Sequence, residues 1–229
     1  QQVDLSQFGG ELEQAEAVQL LELLTPIAKA FCTETAQEVT YLGVQVFGGH
    51  GYISDNGMKR IARDNRISTV YEGTTGIQAL DLLGRKVLGS GGAVLSNFTK
   101  IVHKYCQANK DNAQLAEFIA PLAVLNKEWG EVTMAVGEKA MADADEVGAA
   151  SVDYLMYSGY VVFAYLWAQM AEIAQQNLDS GIDDPLYRGK LKTARFYFQR
   201  LLPRTATHKA AMLAGAAGLM DMNEEEFIC

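Results

Sequence analysis

The chain has 229 residues, 49% hydrophobic and 21% charged, a balance that supports a buried core and excludes a disordered tail. With 28 Asp and Glu against 19 Lys and Arg the formal net charge is −9, a field that repels nucleic-acid phosphates and anionic lipid surfaces. Cys32, Cys106 and Cys229 are far apart and odd in number, which argues against a disulfide framework or a zinc site and suits a reducing compartment such as a bacterial-type cytoplasm.

The opening Gln1-Gln2-Val3-Asp4 has no initiator Met and none of the features of a signal peptide, and is the kind of start expected of a piece of a longer chain. No apolar run reaches the ~20 residues of a membrane-spanning helix. The length leads us to expect two domains. Four prolines in the whole chain, and long stretches of Ala, Leu, Glu, Gln, Lys and Met, predict an all-α protein.

An acidic helix is predicted over Glu11 to Leu24, joined tightly to a long helix over Leu24 to Val46, with Pro26 in the first turn of the second. Ile27, Phe31, Ala36, Val39, Leu42, Gly43 and Val46 form the apolar stripe of that long helix. Phe47-Gly48-Gly49-His50-Gly51-Tyr52 reads as a turn, since its glycines cost a helix too much backbone entropy. A short basic helix from about Asn56 to Asn65 is expected next. Ile67 to Gly73, rich in β-branched residues, reads as extended, with Thr74 or Thr75 capping a helix that ends near Leu88.

Gly89-Ser90-Gly91-Gly92 has linker composition, and a domain boundary is placed there, giving units 1–90 and 91–229. Helices are expected over Val94 to Gln107 and Gln114 to Ala142, then through the stripe Val152, Leu155, Met156, Val162, Phe163, Leu166, Met170 and Ile173. Asp183-Asp184-Pro185 marks a turn, and Pro203 should kink or divide a last helix running from Lys190 to Leu219.

From the residues alone, Glu72 is either a carboxylate poised as a general base beside Gly73 or an ordinary acid at a helix start. The Gly48 to Gly51 cluster either lets backbone N–H groups approach a phosphate or nucleotide, or is a tight turn. Lys59, Arg60, Arg63 and Arg66 either meet an anion or form a solvated face with Asp55 and Asp64. His50, His103 and His208 lack ligand spacing, so no metal is expected, and the aromatic residues from Tyr154 to Phe198 read as core.

Gln45-Val46-Phe47-Gly48-Gly49-His50-Gly51-Tyr52, then Arg63-Asp64-Asn65-Arg66-Ile67, then Val70-Tyr71-Glu72-Gly73-Thr74 and Ile77-Gln78 closely resemble, in that order and spacing, the C-terminal helical domain of the acyl-CoA dehydrogenases. That resemblance covers about residues 25–90; Asp184-Pro185-Leu186 and the Lys190 to Leu219 segment are similar to the extra C-terminal domain of the long members, the 3-methylmercaptopropionyl-CoA dehydrogenase type. The resemblance implies an all-α fold, a C-terminal-like helical bundle followed by a second helical bundle.

It also implies chemistry. Glu72 would be the base that removes the pro-R α-proton of an acyl-CoA thioester while the β-hydrogen leaves as hydride to FAD, giving trans-2-enoyl-CoA. The thioester carbonyl would be polarised by the backbone N–H of Glu72 and a flavin ribityl hydroxyl. Gln45, Val46, Phe47, Gly48 and Gly49 would contact the FAD of a neighbouring subunit, Gly73 would lie against substrate, and Thr74 would reach the flavin nucleotide. The family's common Gln after that Thr is Gly76 here, which leaves only backbone for a contact at that position. Implied partners are the acyl-CoA, an electron-transfer flavoprotein and further copies of the chain in a homodimer or homotetramer.

Nothing in the sequence resembles the family's N-terminal helical domain or the middle β-domain that holds the flavin ring. A fragment is therefore expected, which alone neither retains FAD nor turns over substrate. Two other readings stand beside the dehydrogenase: an acyl-CoA oxidase, and a non-catalytic helical interaction module that keeps the motifs only as structure.

Overall fold

The computed structural model describes Gln7 and residues 10–227, the side chains of residues 11–13 excepted. The Gln1 to Asp4 opening and Cys229 lie outside the described residues. Every element among them is helical. In chain order they are α1 (Glu11–Phe47), a single turn α2 (Gly49–Tyr52), α3 (Met58–Arg66), α4 (Thr75–Leu80) running on as a π-helix (Asp81–Leu88), α5 (Ala93–Asn109), α6 (Ala116–Ala142), α7 (Asp145–Asp179), α8 (Pro185–Phe196), α9 (Thr205–Leu213) and α10 (Ala217–Met220).

The first two predicted helices are one. Pro26 sits inside α1, buried, between Leu23 and Ile27, which are buried with Ala30 and Phe31. Packing of this stripe offsets the backbone hydrogen bond that proline removes, because tertiary contacts and not propensity supply most helix stability. The apolar stripe does not stay covered: Val39, Leu42 and Val46, near the end of α1, are exposed.

Gly48, at φ +58 and ψ −140, ends α1. Gly51 is demanded by close approach, since a Cβ there would meet the Val44 carbonyl oxygen and lie 2.9 Å from Phe47 Cβ. The basic helix α3 starts at Met58, two residues later than expected, after the left-handed cap Gly57 at φ +79, and lays Met58 over Gly43 of α1.

Residues 67–73 are not extended. Ile67–Thr69 form a 3₁₀ turn continuing from α3, held by Ser68 Oγ donating to the Asn65 carbonyl at 2.7 Å and Thr69 Oγ1 to the Arg66 carbonyl at 3.1 Å. The predicted final helix is divided. A π turn (Tyr197–Leu201) and a 3₁₀ turn (Leu202–Arg204) around Pro203 separate α8 from α9. Asp184 caps α8 by accepting from Leu186 N at 2.8 Å, with Pro185 in its first turn.

α7 is the axis of the molecule. Its buried residues, among them Tyr154, Leu155, Tyr157, Val161, Ala164 and Ala168, face all round the helix, which packs against α1, α4, α6, α8 and α9. Leu23 and Phe31 of α1, Leu82 and Leu83 of the π-helix, Phe118 and Trp129 of α6 and Leu191 of α8 belong to one cluster with it. One core thus runs across Gly89 to Gly92. Among the described residues no helix is long and apolar enough to cross a membrane.

Candidate active site

The segment from Val70 to Thr74 crosses α1 on its way into α4. Glu72 has φ +54, making it the one non-glycine residue with positive φ among the described residues, and Gly73 follows at φ +88. A left-handed non-glycine residue costs about 1–3 kcal/mol and persists where its surroundings fix it. Two side chains do so here. Gln78 Nε2 donates to the Glu72 carbonyl at 3.0 Å, and Lys29 Nζ, from α1, donates to the Gly73 carbonyl at 2.5 Å.

Thr74 is the N-cap of α4, in extended conformation, its Oγ1 accepting from Ile77 N at 3.4 Å. Thr75 Oγ1 donates to Glu34 Oε1, a second tie to α1. Lys29 Nζ also lies 6.0 Å from the centroid of the Tyr71 ring. Glu72 itself is exposed, and no described hydrogen bond uses its backbone N–H or that of Gly73. An exposed carboxylate and backbone N–H groups outside the described hydrogen bonds thus share a turn whose carbonyls are held by Gln78 and Lys29.

The glycine turn is a separate place. Gln45, Val46, Phe47, Gly48 and Gly49 are all exposed, Val46 to 85%, and nothing lies within 4 Å of where a Cβ would stand on Gly48 or Gly49. From Lys29 to Phe47 the helix α1 climbs about 18 residues, roughly 27 Å at 1.5 Å per residue. One copy of the chain thus gathers Glu72, Gly73 and Thr74 but holds Gln45 to Gly49 well away from them. The peptide edge at Gly48 and Gly49 is open to close approach, and Glu72 stands exposed.

The basic run of α3 is a solvated face in part: Arg60 pairs with Asp64 at 3.4 Å with both side chains exposed. Arg66 donates to Thr69 Oγ1, and Lys59 to Ser54 Oγ at 3.3 Å. Among the aromatic residues read as core, Tyr154, Tyr157, Tyr160, Tyr197 and Phe198 are buried, whereas Phe196 is 56% exposed. His208 does have a partner that sequence gave no hint of, Asp153 at 2.8 Å. Lys29 and Glu34, which hold the Glu72 turn from α1, carried no signal beyond being polar positions on an amphipathic helix.

The fold defines the chain as an all-helical domain presenting a carboxylate on a braced left-handed turn. The family model described as "Acetyl-CoA dehydrogenase C-terminal like" matches residues 98–223, and that described as "Acyl-CoA dehydrogenase, C-terminal domain" matches residues 11–88. The chain belongs to the acyl-CoA dehydrogenase family, which is in general FAD-dependent. It is 36% identical over 201 residues to 3-methylmercaptopropionyl-CoA dehydrogenase of Ruegeria pomeroyi, covering 87% of this chain and 34% of the relative. It is 28% identical over 220 residues to a broad-specificity linear acyl-CoA dehydrogenase of Mycobacterium tuberculosis (92% and 36%), and 26% identical over 207 residues to a butyryl-CoA dehydrogenase of Syntrophomonas wolfei (89% and 34%). The chain spans about a third of the length of these relatives.

Proposed function

We propose that the chain acts as the C-terminal part of an FAD-dependent acyl-CoA dehydrogenase that converts an acyl-CoA thioester to trans-2-enoyl-CoA, with Glu72 as the base. The observation that carries this reading is the braced turn, on which the Glu72 carboxylate and its own free N–H stand together. The N–H donates to the thioester carbonyl and lowers the barrier to enolate-like charge; the carboxylate takes the α-proton. As the α-C–H bond breaks its electron pair forms the new C=C bond, and the β-hydrogen departs with its own pair. FAD, when bound, supplies the two-electron acceptor for that hydride.

Gly73 gives the turn its close approach to substrate, and Thr74 reaches the flavin nucleotide from the start of α4. The distance along α1 from Lys29 to Phe47 favours assigning Gln45 to Gly49 to the cofactor of a second copy, hence a homodimer or homotetramer. Exclusion of water from Glu72 falls to other parts of the longer protein, since this chain leaves it exposed. The described residues before and after Gly89 to Gly92, read as two domains, share a core.

The test uses the full-length protein that contains this chain. Anaerobic addition of acyl-CoA bleaches its flavin absorbance and yields enoyl-CoA. Reoxidation by an electron-transfer flavoprotein marks a dehydrogenase, and rapid reoxidation by oxygen an oxidase. A protein without flavin contradicts the catalytic reading and leaves a helical interaction module.

A further inference from the structure

We infer that Lys29 is a positioning residue for the Glu72 base, acting with Gln78 as a two-point clamp on the left-handed pair Glu72–Gly73. This rests on the reading of Glu72 as the base. The two peptide groups that follow Glu72 and Gly73 each have their carbonyl held by a side chain: Gln78 Nε2 on the Glu72 carbonyl at 3.0 Å, Lys29 Nζ on the Gly73 carbonyl at 2.5 Å. The two donors come from opposite directions, one from α4 just ahead and one from α1, 44 residues earlier in the chain.

Consecutive residues at φ +54 and φ +88 have few intrinsic reasons to stay there when the first of them is not glycine. Replacing Gly73 would not relieve the strain, because a Cβ there stands 2.8 Å from Gln78 Nε2. The clamp therefore sets the direction in which the Glu72 carboxylate leaves the backbone. A charge-assisted bond from a half-buried ammonium is the stronger of the two holds. Lys29 also lies on the longest rigid element of the site, so it references the base to α1, and through Phe31 on the same helix to the core.

Loss of the Lys29 hold lets the turn relax without removing the carboxylate. Proton abstraction then slows while binding of the CoA portion stays as it was. The experiment measures α-proton exchange in D₂O with 3,3-dimethylbutyryl-CoA, whose β-carbon has no hydrogen to transfer, on the flavin-loaded full-length protein. It also measures kcat and KM with a normal acyl-CoA. Lys29→Met is expected to lower both exchange and kcat by about 10- to 100-fold with KM and flavin content little changed, and Gln78→Leu to lower them less. Lys29→Arg, which keeps a cationic donor, restores most of the exchange.

Exchange unaltered in Lys29→Met while Glu72→Gln abolishes it overturns the clamp and leaves Glu72 as base. Exchange that survives in Glu72→Gln overturns the underlying assignment instead. Loss of flavin or of thermal stability in Lys29→Met, with no rescue by Lys29→Arg, makes Lys29 a purely structural residue and also overturns the proposal.

Discussion

The ring of Phe31 in α1 lies directly on the backbone of Gly159 in α7, so near that a Cβ on residue 159 would overlap the ring carbons Cδ2 and Cγ. Phe31 also meets Tyr160 edge to face, with ring centroids 4.9 Å apart. This contact joins the two parts of the chain that match separate family descriptions, and it anchors the helix from which Lys29 reaches the candidate base. Gly159→Ala should therefore destabilise the protein by about 1–3 kcal/mol through overpacking. Urea midpoints of the single variant and of Gly159→Ala with Phe31→Leu are the check, the second substitution recovering part of the loss.

A second bridge between those parts is ionic. Arg204 grips Glu38 through two bonds of 2.7 Å, one from each terminal nitrogen. Those hydrogen bonds, more than the charge alone, hold the Glu38 carboxyl below its ordinary value of 4.5. Folding thus favours the charged form, so the contribution is complete above that ordinary value and is lost as the pH falls through the lowered folded one. Both side chains are more than a third exposed, and Glu38→Gln should cost no more than about 1 kcal/mol near pH 7 and close to nothing once the pH has fallen below the lowered folded value. Denaturant unfolding of wild type and variant across that range measures the difference.

Neither described cysteine is an activated thiol. Burial pushes Cys106 up to about 11, and partial desolvation by neighbouring chain raises Cys32 above its ordinary value of 9.0 although its side chain still meets solvent. Cys32 is exposed and Cys106 buried. In a Cys229→Ser background, iodoacetamide at neutral pH should label Cys32 slowly and Cys106 only after denaturation, as read by peptide mass spectrometry.

The chain by itself should fold, because its helices share one continuous core, yet it should not retain FAD. Its glycine turn and its Glu72 turn face solvent at separated points along α1. Gel filtration after incubation with FAD, followed by absorbance of the protein peak, tests this; a yellow peak contradicts it.

Helix class, the Thr74 cap and the break at Pro203 were legible, because each rests on local chemistry that a short window of sequence displays; the glycine cluster was expected to be a turn, yet Gly49–Tyr52 forms one helical turn, and α8 begins at Pro185, before the expected Lys190. Pro26 inside α1 was not, since the packing of Leu23, Ile27 and Phe31 that overrides it comes from α7 and the π-helix, distant in sequence. The β-branched run from Ile67 misled for a related reason. Ser68 and Thr69 spend their hydroxyls on the carbonyls of Asn65 and Arg66 and carry the helical path onward, a choice that strand propensity does not report. At the candidate site the motif residues stood out as a group, but the braces did not. Lys29 and Glu34 lie over forty residues before the turn they hold, and only the fold brings them to it.

On the proposed function, Glu72 takes the α-proton. The most direct test is the flavin-loaded full-length protein carrying Glu72→Gln, which preserves size and the capacity to sit on the braced turn. That variant should show normal flavin content, intact acyl-CoA binding and flavin bleaching slowed by a factor of about 10³ or more. Bleaching at the wild-type rate in that variant would contradict the assignment and place the base elsewhere in the protein.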